Sequence, residues 1–176
     1  MQERRGRICT TMFDFYGMPD NWPGRTEAAV AYESPDRKGD FIEKAMLDDL
    51  ADHAGNDFRT ELFIPYVQVH EFEALLFADV TKLAEALTEL SGQNQAQLAA
   101  RFKSILDNAG QPEAINDGRE TCPSRRINGV VSRYKKVDHG PLVAGRIGLD
   151  AFRAACPHFG QWLGRLEALG AGGAET

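Results

Sequence analysis

Two short apolar stretches rich in β-branched residues predict β-strands. The first covers residues 7–15 and the second covers residues 61–69. Pro65 lies inside the second stretch, and because proline has no backbone N–H to donate, it predicts an edge strand or a bulge there. Between the strands, residues 16–24 contain glycine and proline breakers that predict a loop, and residues 25–39 stay polar and irregular.

Helical periodicity dominates the rest of the chain. Asp40 is a predicted N-cap with Glu43 three residues later, as in a capping box, and a helix follows to about residue 54. Further apolar stripes predict helices over residues 71–78, 80–90, 93–107, 124–134, 149–155 and 158–169. The pattern predicts a single mixed α/β domain over residues 1–169, with a helical C-terminal half and a flexible tail at residues 170–176.

Two predicted strands are too few for a freestanding sheet to bury both faces. We therefore expect either a hidden third strand or a chain that begins partway into its domain. With 176 residues, 43% of them hydrophobic, the chain is long enough to bury a core without disulfides.

The composition and the apolar pattern indicate where the protein is located in the cell and which kinds of partner it does not attract. The net charge of −6 gives no bulk attraction to nucleic acid or to anionic membranes. No apolar run reaches the ~18 residues of a spanning helix, and the N-terminal residues lack the apolar stretch of a signal peptide. Cys9, Cys122 and Cys156 form no Cys-x-x-Cys zinc knuckle and are predicted to be free thiols. These features predict a cytoplasmic protein with no membrane partner.

An aspartate lies near the end of the first predicted strand and is followed by a loop. In open α/β sheets, ligands bind beyond the carboxyl ends of the strands. Because Mg²⁺ prefers one or two carboxylates completed by water and phosphate oxygens, Asp14 is a candidate metal ligand and catalytic residue. The alternative is that Asp14 only caps or turns the loop.

Acidic residues also follow the second predicted strand. His70, Glu71 and Glu73 are candidate catalytic residues, and the two glutamates are candidate metal ligands. If a helix has already begun, the glutamates lie about 200° apart around its axis and do not line one site. If residues 69–73 are extended, both glutamates face the same way. The helix dipole also favours glutamates in a first turn without any catalytic role, and a lone histidine is more often structural.

A run of cations is a local exception in this acidic chain. Five of the 20 lysines and arginines fall within residues 125–136, with no acidic residue among them. These candidate phosphate-binding residues are Arg125, Arg126, Arg133, Lys135 and Lys136. A solvated helix face that pairs with acidic residues elsewhere, including those of residues 113–120, explains the same pattern.

Cys156 and His158 stand two residues apart, a spacing that suits a metal pair or a nucleophile with its base. Pro157 between them suits the start of a helix, and Phe159 and Trp162 continue a core stripe at helical spacing. This stretch is therefore interpreted as structural.

At four of these stretches the chain resembles the bacterial family known as domain of unknown function 4276. The matching segments are TTMFDFYGMPDNWPG, IPYVQVHEFEALLFAD, EAINDGRETCPSRRI and IGLDAFRAACPHFGQWL. The resemblance covers nearly all of residues 8–169. It implies a TOPRIM-like α/β fold, as in primases, topoisomerases and overcoming-lysogenization-type nucleases, and here a partial sheet of that kind.

The resemblance also implies a metal site. TOPRIM-like folds hold Mg²⁺ with a glutamate after the first strand and an Asp-x-Asp pair after a later one. Asp14 matches the first aspartate of that pair, and Glu73 matches a family acidic position at the head of the following helix. Tyr16 stands where the second aspartate is expected. The family's opening strand, Glu-Gly-x-Thr-Glu-like turn and helix have no counterpart here, so we expect a chain truncated before its third strand.

Three functional hypotheses follow. The first is an Mg²⁺-dependent nucleic-acid phosphodiesterase of a bacterial defence-type system. The second is a non-catalytic partner module of an AAA or SMC-like ATPase, because the family is often encoded beside such ATPases in what look like defence loci. The third is a phosphate- or RNA-binding protein that uses residues 125–136.

Overall fold

The computed structural model describes residues 7–31, 35–55, 59–115 and 121–171. The chain forms two compact units, the first of Met1–Val69 with Gly164–Thr176 and the second of His70–Leu163. The strands of the described residues all lie in the first unit, and the second unit is helical. The predicted mixed α/β fold with a helical C-terminal half is confirmed, whereas the pattern did not indicate two units.

Each predicted strand forms as two short pieces. The first stretch gives β1 (Cys9–Thr10) and β2 (Phe13–Asp14), and the second gives β3 (Phe63–Ile64) and β4 (Val67–Gln68). β1 pairs with β3 and β2 pairs with β4, both in parallel. Within the described ranges no third strand joins either pair, so the expected hidden strand is not found there.

The gap in the strand pairing coincides with Pro65. The N–H of Tyr66, the next residue, donates to the hydroxyl Oγ1 of Thr11 at 3.0 Å, and that hydroxyl donates back to the Tyr66 carbonyl at 3.3 Å. A side chain therefore takes the place of a backbone partner where the proline interrupts the ladder. Regular pairing resumes when the Phe13 N–H donates to the same Tyr66 carbonyl at 3.1 Å.

The helices of the first unit begin earlier than predicted. α1 covers Arg25–Ala31 and α2 covers Pro35–Ala54, so the prediction of an irregular segment over residues 25–39 is wrong. Asp40 is not an N-cap, because α2 begins five residues before it. Proline at a first helical position is already set to the helical φ, which outweighs the capping-box signal. Glu43 instead accepts the N–H of Val67 at 2.9 Å and so holds β4 against α2.

The core of the first unit joins the strands to both helices. Its buried members are Phe15, Met18, Ala28, Ile42, Met46, Phe63 and Val67. The side chains of Trp22, Phe41 and Leu47 are partly buried against them.

In the second unit, a buried 3-10 helix is followed by a series of α-helices. The 3-10 helix covers Phe72–Asp79, and Ala74, Leu75, Leu76 and Phe77 are completely buried. The sequence pattern predicts a helix over residues 71–78, and one is present, but it winds as a 3-10 helix. Its segment is apolar on nearly every side, which is typical of a buried helix. The helices that follow are α3 (Val80–Ser91), α4 (Gln95–Ala109), α5 (Pro123–Val130), α6 (Lys136–Ile147), α7 (Leu149–Ala155) and α8 (Pro157–Ala171). The residues of α8 up to Leu163 belong to this unit, and those from Gly164 on belong to the first.

Helix α6 was missed by the sequence pattern. It contains Gly140, Pro141 and Gly145, residues that ordinarily break helices. Gly140 is required by close packing, since a Cβ there would lie 3.3 Å from the hydroxyl of Tyr134. The basic run is consequently split: α5 ends at Val130 rather than at residue 134, and Lys136 begins a new helix.

Two further observations complete the fold. Among the described residues, no helix is both long and apolar enough to cross a membrane. Of the predicted tail, Gly170 and Ala171 still belong to α8, and residues 172–176 lie outside the described residues.

Two glycines with positive φ give a test of the packing around α1. A Cβ at Gly24 (φ 71°) would lie 2.7 Å from the Cβ of Ala45, whereas one at Gly92 (φ 64°) would meet nothing within 4 Å. Gly92→Ala should cost only the left-handed strain, about 1 kcal/mol, and Gly24→Ala should cost roughly 2–4 kcal/mol because the clash adds to it. Urea unfolding of both variants measures the difference. Equal losses would contradict the packing described here.

Candidate functional site

The two predicted glutamates lie at the start of the buried 3-10 helix. Glu71 is its N-cap, with the extended backbone angles φ −69° and ψ 156°, and Glu73 lies in its first turn. The backbone is therefore extended at the first glutamate and helical at the second, an intermediate case between the two predicted alternatives. Glu73 is almost fully buried, with 4% of its surface exposed.

Both carboxylates converge on one ammonium group. Lys136 Nζ donates to Glu71 Oε1 and lies 3.7 Å from Glu73 Oε2. The glutamate side chains are 16% and 5% exposed, and that of Lys136 is 45% exposed. A predicted phosphate-binding residue thus meets the two predicted acidic site residues, from which it is separated by more than 60 positions in the chain. We call Glu71, Glu73, Tyr134 and Lys136 the glutamate cluster.

Glu71 also caps helix α5. Its Oε2 accepts the backbone N–H of Ser124 at 2.8 Å. The N-cap residue of α5, Cys122, makes no side-chain cap, and Pro123 occupies the first turn. A carboxylate at a helix N-terminus satisfies an otherwise unpaired N–H and interacts favourably with the helix dipole. The second unit therefore uses one glutamate to connect the starts of α5 and α6.

Tyr134 completes the surroundings of Glu73. Its hydroxyl donates to Glu73 Oε1 at 3.2 Å, and the tyrosine is 4% exposed. Gly140 leaves room for this hydroxyl, because a Cβ there would lie only 3.3 Å from it. Sequence reasoning did not identify Tyr134. Its only signal was an aromatic residue inside the basic run, at a place where solvated side chains were expected.

The environments of the two glutamates shift their pKa values in opposite directions. Burial alone would raise the pKa of Glu71, but hydrogen bonds from Lys136 and Ser124 outweigh it and hold that pKa below its ordinary value. Burial raises the pKa of Glu73, and the charge of Lys136 offsets this only in part. Burial and the neighbouring Glu73 carboxylate also raise the pKa of Tyr134. The cluster thus contains one carboxylate held in the ionised form and one disposed to bind a proton.

The donor set of the cluster suits a hard divalent cation. The ammonium of Lys136 marks a position that oxygens of both glutamates approach. Mg²⁺ is commonly held by one or two carboxylates, with water and phosphate oxygens completing its shell. Among the residues that the structure describes, no group of three His, Cys, Asp or Glu side chains is arranged to hold a metal. A metal here would rest on two glutamates and would replace the ammonium.

The remaining acidic and histidine candidates lie elsewhere. Asp14 belongs to the first unit, where its Oδ1 accepts the N–H of Tyr16 at 2.9 Å and caps a 3-10 helix, Phe15–Gly17. This is the loop-capping role that was the alternative to metal binding. His70 is buried at the start of the second unit. For both residues a catalytic role stays a prediction.

The other cations of the basic run point to solvent. Arg125, Arg126, Arg133 and Lys135 are all exposed. Arg126 donates from Nε to the carbonyl of Thr121 at 3.2 Å, and Lys135 lies 3.9 Å from the Asp138 carboxylate. The exposed positions of Arg125 and Arg126 on α5 fit both alternatives, a solvated helix face and phosphate binding.

Cys156 and His158 have structural surroundings. Both are buried, and burial raises the pKa of the Cys156 thiol, which disfavours the nucleophilic thiolate. The buried Glu113 accepts the N–H groups of His158 and Phe159, each at 3.0 Å, and so caps α8. Residues 113–120 contain the acids that were predicted to pair with the basic run. The structure describes Glu113 among these acids, and residues 116–120 lie outside the described part.

Comparison with known proteins gives one match. A family model described as a domain of unknown function, DUF4276, matches residues 1–167. No curated protein and no solved structure matches the chain.

The opposite pKa shifts predict opposite effects of two conservative variants. Because the pKa of Glu71 is lowered, its charge stabilises the fold above the unfolded pKa, so Glu71→Gln should cost roughly 1–2 kcal/mol at about pH 7. Because the pKa of Glu73 is raised, its charge is unfavourable there, so Glu73→Gln should be neutral or gain up to about 1 kcal/mol.

Acid should remove both differences, since each glutamate then becomes neutral as the glutamine is. Because the pKa of folded Glu71 lies below its ordinary value, its contribution is lost only as the pH falls through that lowered pKa, so urea unfolding is compared at about pH 7 and about pH 2.5. Equal destabilisation by the two variants at neutral pH would show that the cluster does not separate the two carboxylates electrostatically.

Proposed function

Since the chain belongs to the family described as a domain of unknown function, DUF4276, we propose from the geometry of its second unit that it is a metal-dependent phosphodiesterase acting on nucleic acid. The glutamate cluster is its proposed centre. Glu71 and Glu73 are the residues that would hold Mg²⁺, and Lys136 is the residue that would bind the phosphate. The metal, when bound, would supply charge stabilisation and a more acidic water.

The observation that carries this proposal is the convergence of the two glutamates on Lys136. A buried carboxylate, a partly buried carboxylate and a half-exposed ammonium meet at one point, from residues with separately predicted acidic and phosphate-binding roles. An ammonium that is 45% exposed can leave two carboxylates for a phosphate oxygen without unfolding the helices around it. A cation site and a phosphate ligand would then lie side by side.

The pKa pattern assigns roles to the two glutamates. In phosphodiester hydrolysis, water attacks phosphorus, a P–O bond breaks, and a proton moves from the water to the leaving oxygen. Pairs of carboxyl groups with pKa values pushed apart are typical of such acid–base chemistry. Glu73, with its raised pKa and its hydrogen bond from Tyr134, is suited to hold a proton while Lys136 occupies the cluster. Once a metal replaced the ammonium, Glu73 would be an ionised ligand. Glu71, with its lowered pKa, is suited to remain a charged ligand.

The wider fold is proposed to be TOPRIM-like. Its support is the parallel pairing of the strands in the first unit, in which Asp14 closes β2 and Gln68 closes β4. Parallel strands place their carboxyl ends at one edge, where α/β folds bind ligands. We place the chain in a bacterial defence-type system, and this rests on the family resemblance.

A second candidate function is a non-catalytic module that docks on an AAA or SMC-like ATPase. It is favoured because Glu71 has a structural role: it caps α5 and connects that helix to the start of α6. Apolar side chains on the outside of the second unit also suit a partner surface: Val137, Leu142 and Leu149 are 86%, 68% and 54% exposed.

Cleavage of plasmid DNA, single-stranded DNA and RNA with Mg²⁺ or Mn²⁺ tests the first function. Glu73→Gln should lower the rate by about 100-fold, because it removes a proton carrier and a metal ligand. The matched control is Glu113→Gln, which changes an equally buried glutamate that caps α8. The rate of folded Glu113→Gln should stay within about twofold of the parent.

The controls separate the two functions. Equal losses in Glu73→Gln and Glu113→Gln would assign the effect to stability and contradict a catalytic role for the cluster. Absence of cleavage by the parent chain, together with co-purification with an ATPase co-expressed beside it, would support the docking module. The Asp14→Ala variant is measured in the same cleavage assay. An unchanged cleavage rate in that variant would remove Asp14 from the mechanism.

A further inference from the structure

The first unit contains a pocket of about 310 Å³, close to the lower end of the range typical of small-molecule sites. Its walls come from the strands, from the loop before α1 and from α2. The apolar lining includes Phe13, Phe63, Trp22, Met46 and Leu50. This site belongs wholly to the first unit and is independent of the glutamate cluster.

The polar part of the lining is small. Thr11 contributes a hydroxyl, but that group already exchanges two hydrogen bonds with the backbone of Tyr66. Asp49 is the one acidic residue of the lining, and its side chain is 43% exposed. None of the described residues that line the pocket is lysine or arginine. The lining is therefore almost wholly apolar, and Asp49 is the charged residue beside it.

The charged neighbour of Asp49 faces outward. His53 lies one helical turn away on α2, with its Nδ1 3.5 Å from the Asp49 carboxylate, and its side chain is 78% exposed. The same Nδ1 lies 2.8 Å from the Asp49 carbonyl. A solvated histidine screens the carboxylate when it is protonated but does not fill the pocket, because it is not part of the lining.

Aromatic rings give the pocket a second preference for positive charge. The rings of Phe13 and Trp22 meet edge to face, with centroids 5.6 Å apart and an interplanar angle of 77°. The indole Nε1 of Trp22 is buried and makes no hydrogen bond within the described residues, so the pocket meets the carbon surface of this ring. Ring faces attract cations through their quadrupole, and most strongly those whose charge is spread over methyl groups.

We propose that this pocket binds a small organic cation with an apolar body, of the alkylated ammonium class. The carboxylate of Asp49 and the aromatic rings both favour positive charge, and the apolar walls favour methyl or methylene groups over a hydrated inorganic ion. A bare divalent metal needs several oxygen ligands, which a single carboxylate does not supply. Anions are disfavoured by the same carboxylate.

Fluorescence of Trp22 provides the assay. Trp162 is the other tryptophan of the chain, so a Trp162→Phe background leaves Trp22 as the sole reporter. The probes are choline and its neutral carbon isostere 3,3-dimethylbutan-1-ol, which share a shape and differ in charge. Choline should bind about fivefold more tightly, the order expected when one partly exposed carboxylate and aromatic rings both favour the positive charge. A buffer of about pH 8.5 keeps the charge of His53 low.

Two variants of α2 test the carboxylate. Asp49→Asn should bring choline to within about twofold of the neutral isostere. Asp52→Asn removes the same charge from an exposed position of α2 outside the pocket, and should keep the preference for choline. Thermal unfolding verifies that both variants are folded.

Three outcomes would overturn the proposal. Equal affinity for choline and the isostere in the parent would remove the charge preference, and absence of a Trp22 response to either probe at tens of millimolar would remove the site. Equal loss in both variants would show general electrostatic attraction rather than recognition by Asp49. The proposal is supported if Trp22 fluorescence shows tighter binding of choline than of the isostere in the parent and in Asp52→Asn, but not in Asp49→Asn.

Discussion

The second unit depends on one carboxylate that serves two helices. Glu71 accepts the N–H of Ser124 at the start of α5 and an ammonium hydrogen of Lys136 at the start of α6. These partners lie 53 and 65 positions further along the chain. A partly buried, charge-assisted contact of this kind is worth more than a surface ion pair and is costly to leave half made. The backbone contact fixes where α5 starts relative to the buried 3-10 helix, and the ammonium contact brings Lys136 to both Glu71 and Glu73.

The same kind of capping contact occurs at the start of α8. Helices α5 and α8 both begin with a proline that follows a cysteine, Pro123 and Pro157. In each case a glutamate distant in sequence accepts backbone N–H groups of the first turn: Glu71 serves α5, and Glu113 serves α8. Proline sets the helical φ of a first turn but supplies no capping acceptor. The acceptor comes from a tertiary contact, which links the formation of each helix end to the packing of the whole unit.

Local signals predicted the parts of this structure that are locally determined. The two strand stretches formed, and a helix formed over Phe72–Asp79, where the pattern predicts one over residues 71–78. Helix α6 was missed because Gly140 and Pro141 oppose a helix locally, whereas tertiary contacts with Tyr134 and Glu73 favour it. Asp40 met the local rule for an N-cap, but Pro35 began the helix earlier. The acidic and basic residues of the site were predicted as separate stretches. Hydrophobic periodicity reports on local structure, so it does not show that Lys136 contacts Glu71, 65 positions earlier in the chain.

The carboxylates of the proposed site differ from a capping carboxylate of the same unit in the nature of their partners. Glu113 gives both oxygens to backbone N–H groups of one helix, and such donors cannot move without unwinding it. Glu71 gives one oxygen to a backbone group and the other to Lys136, and Glu73 faces the same half-exposed side chain. A lysine has several rotatable bonds and exchanges with solvent cations, so its place can be taken by another positive charge while the helices stay in position. The fold places two carboxylates around a half-exposed ammonium, and our proposal of chemistry at this cluster rests on that difference from Glu113.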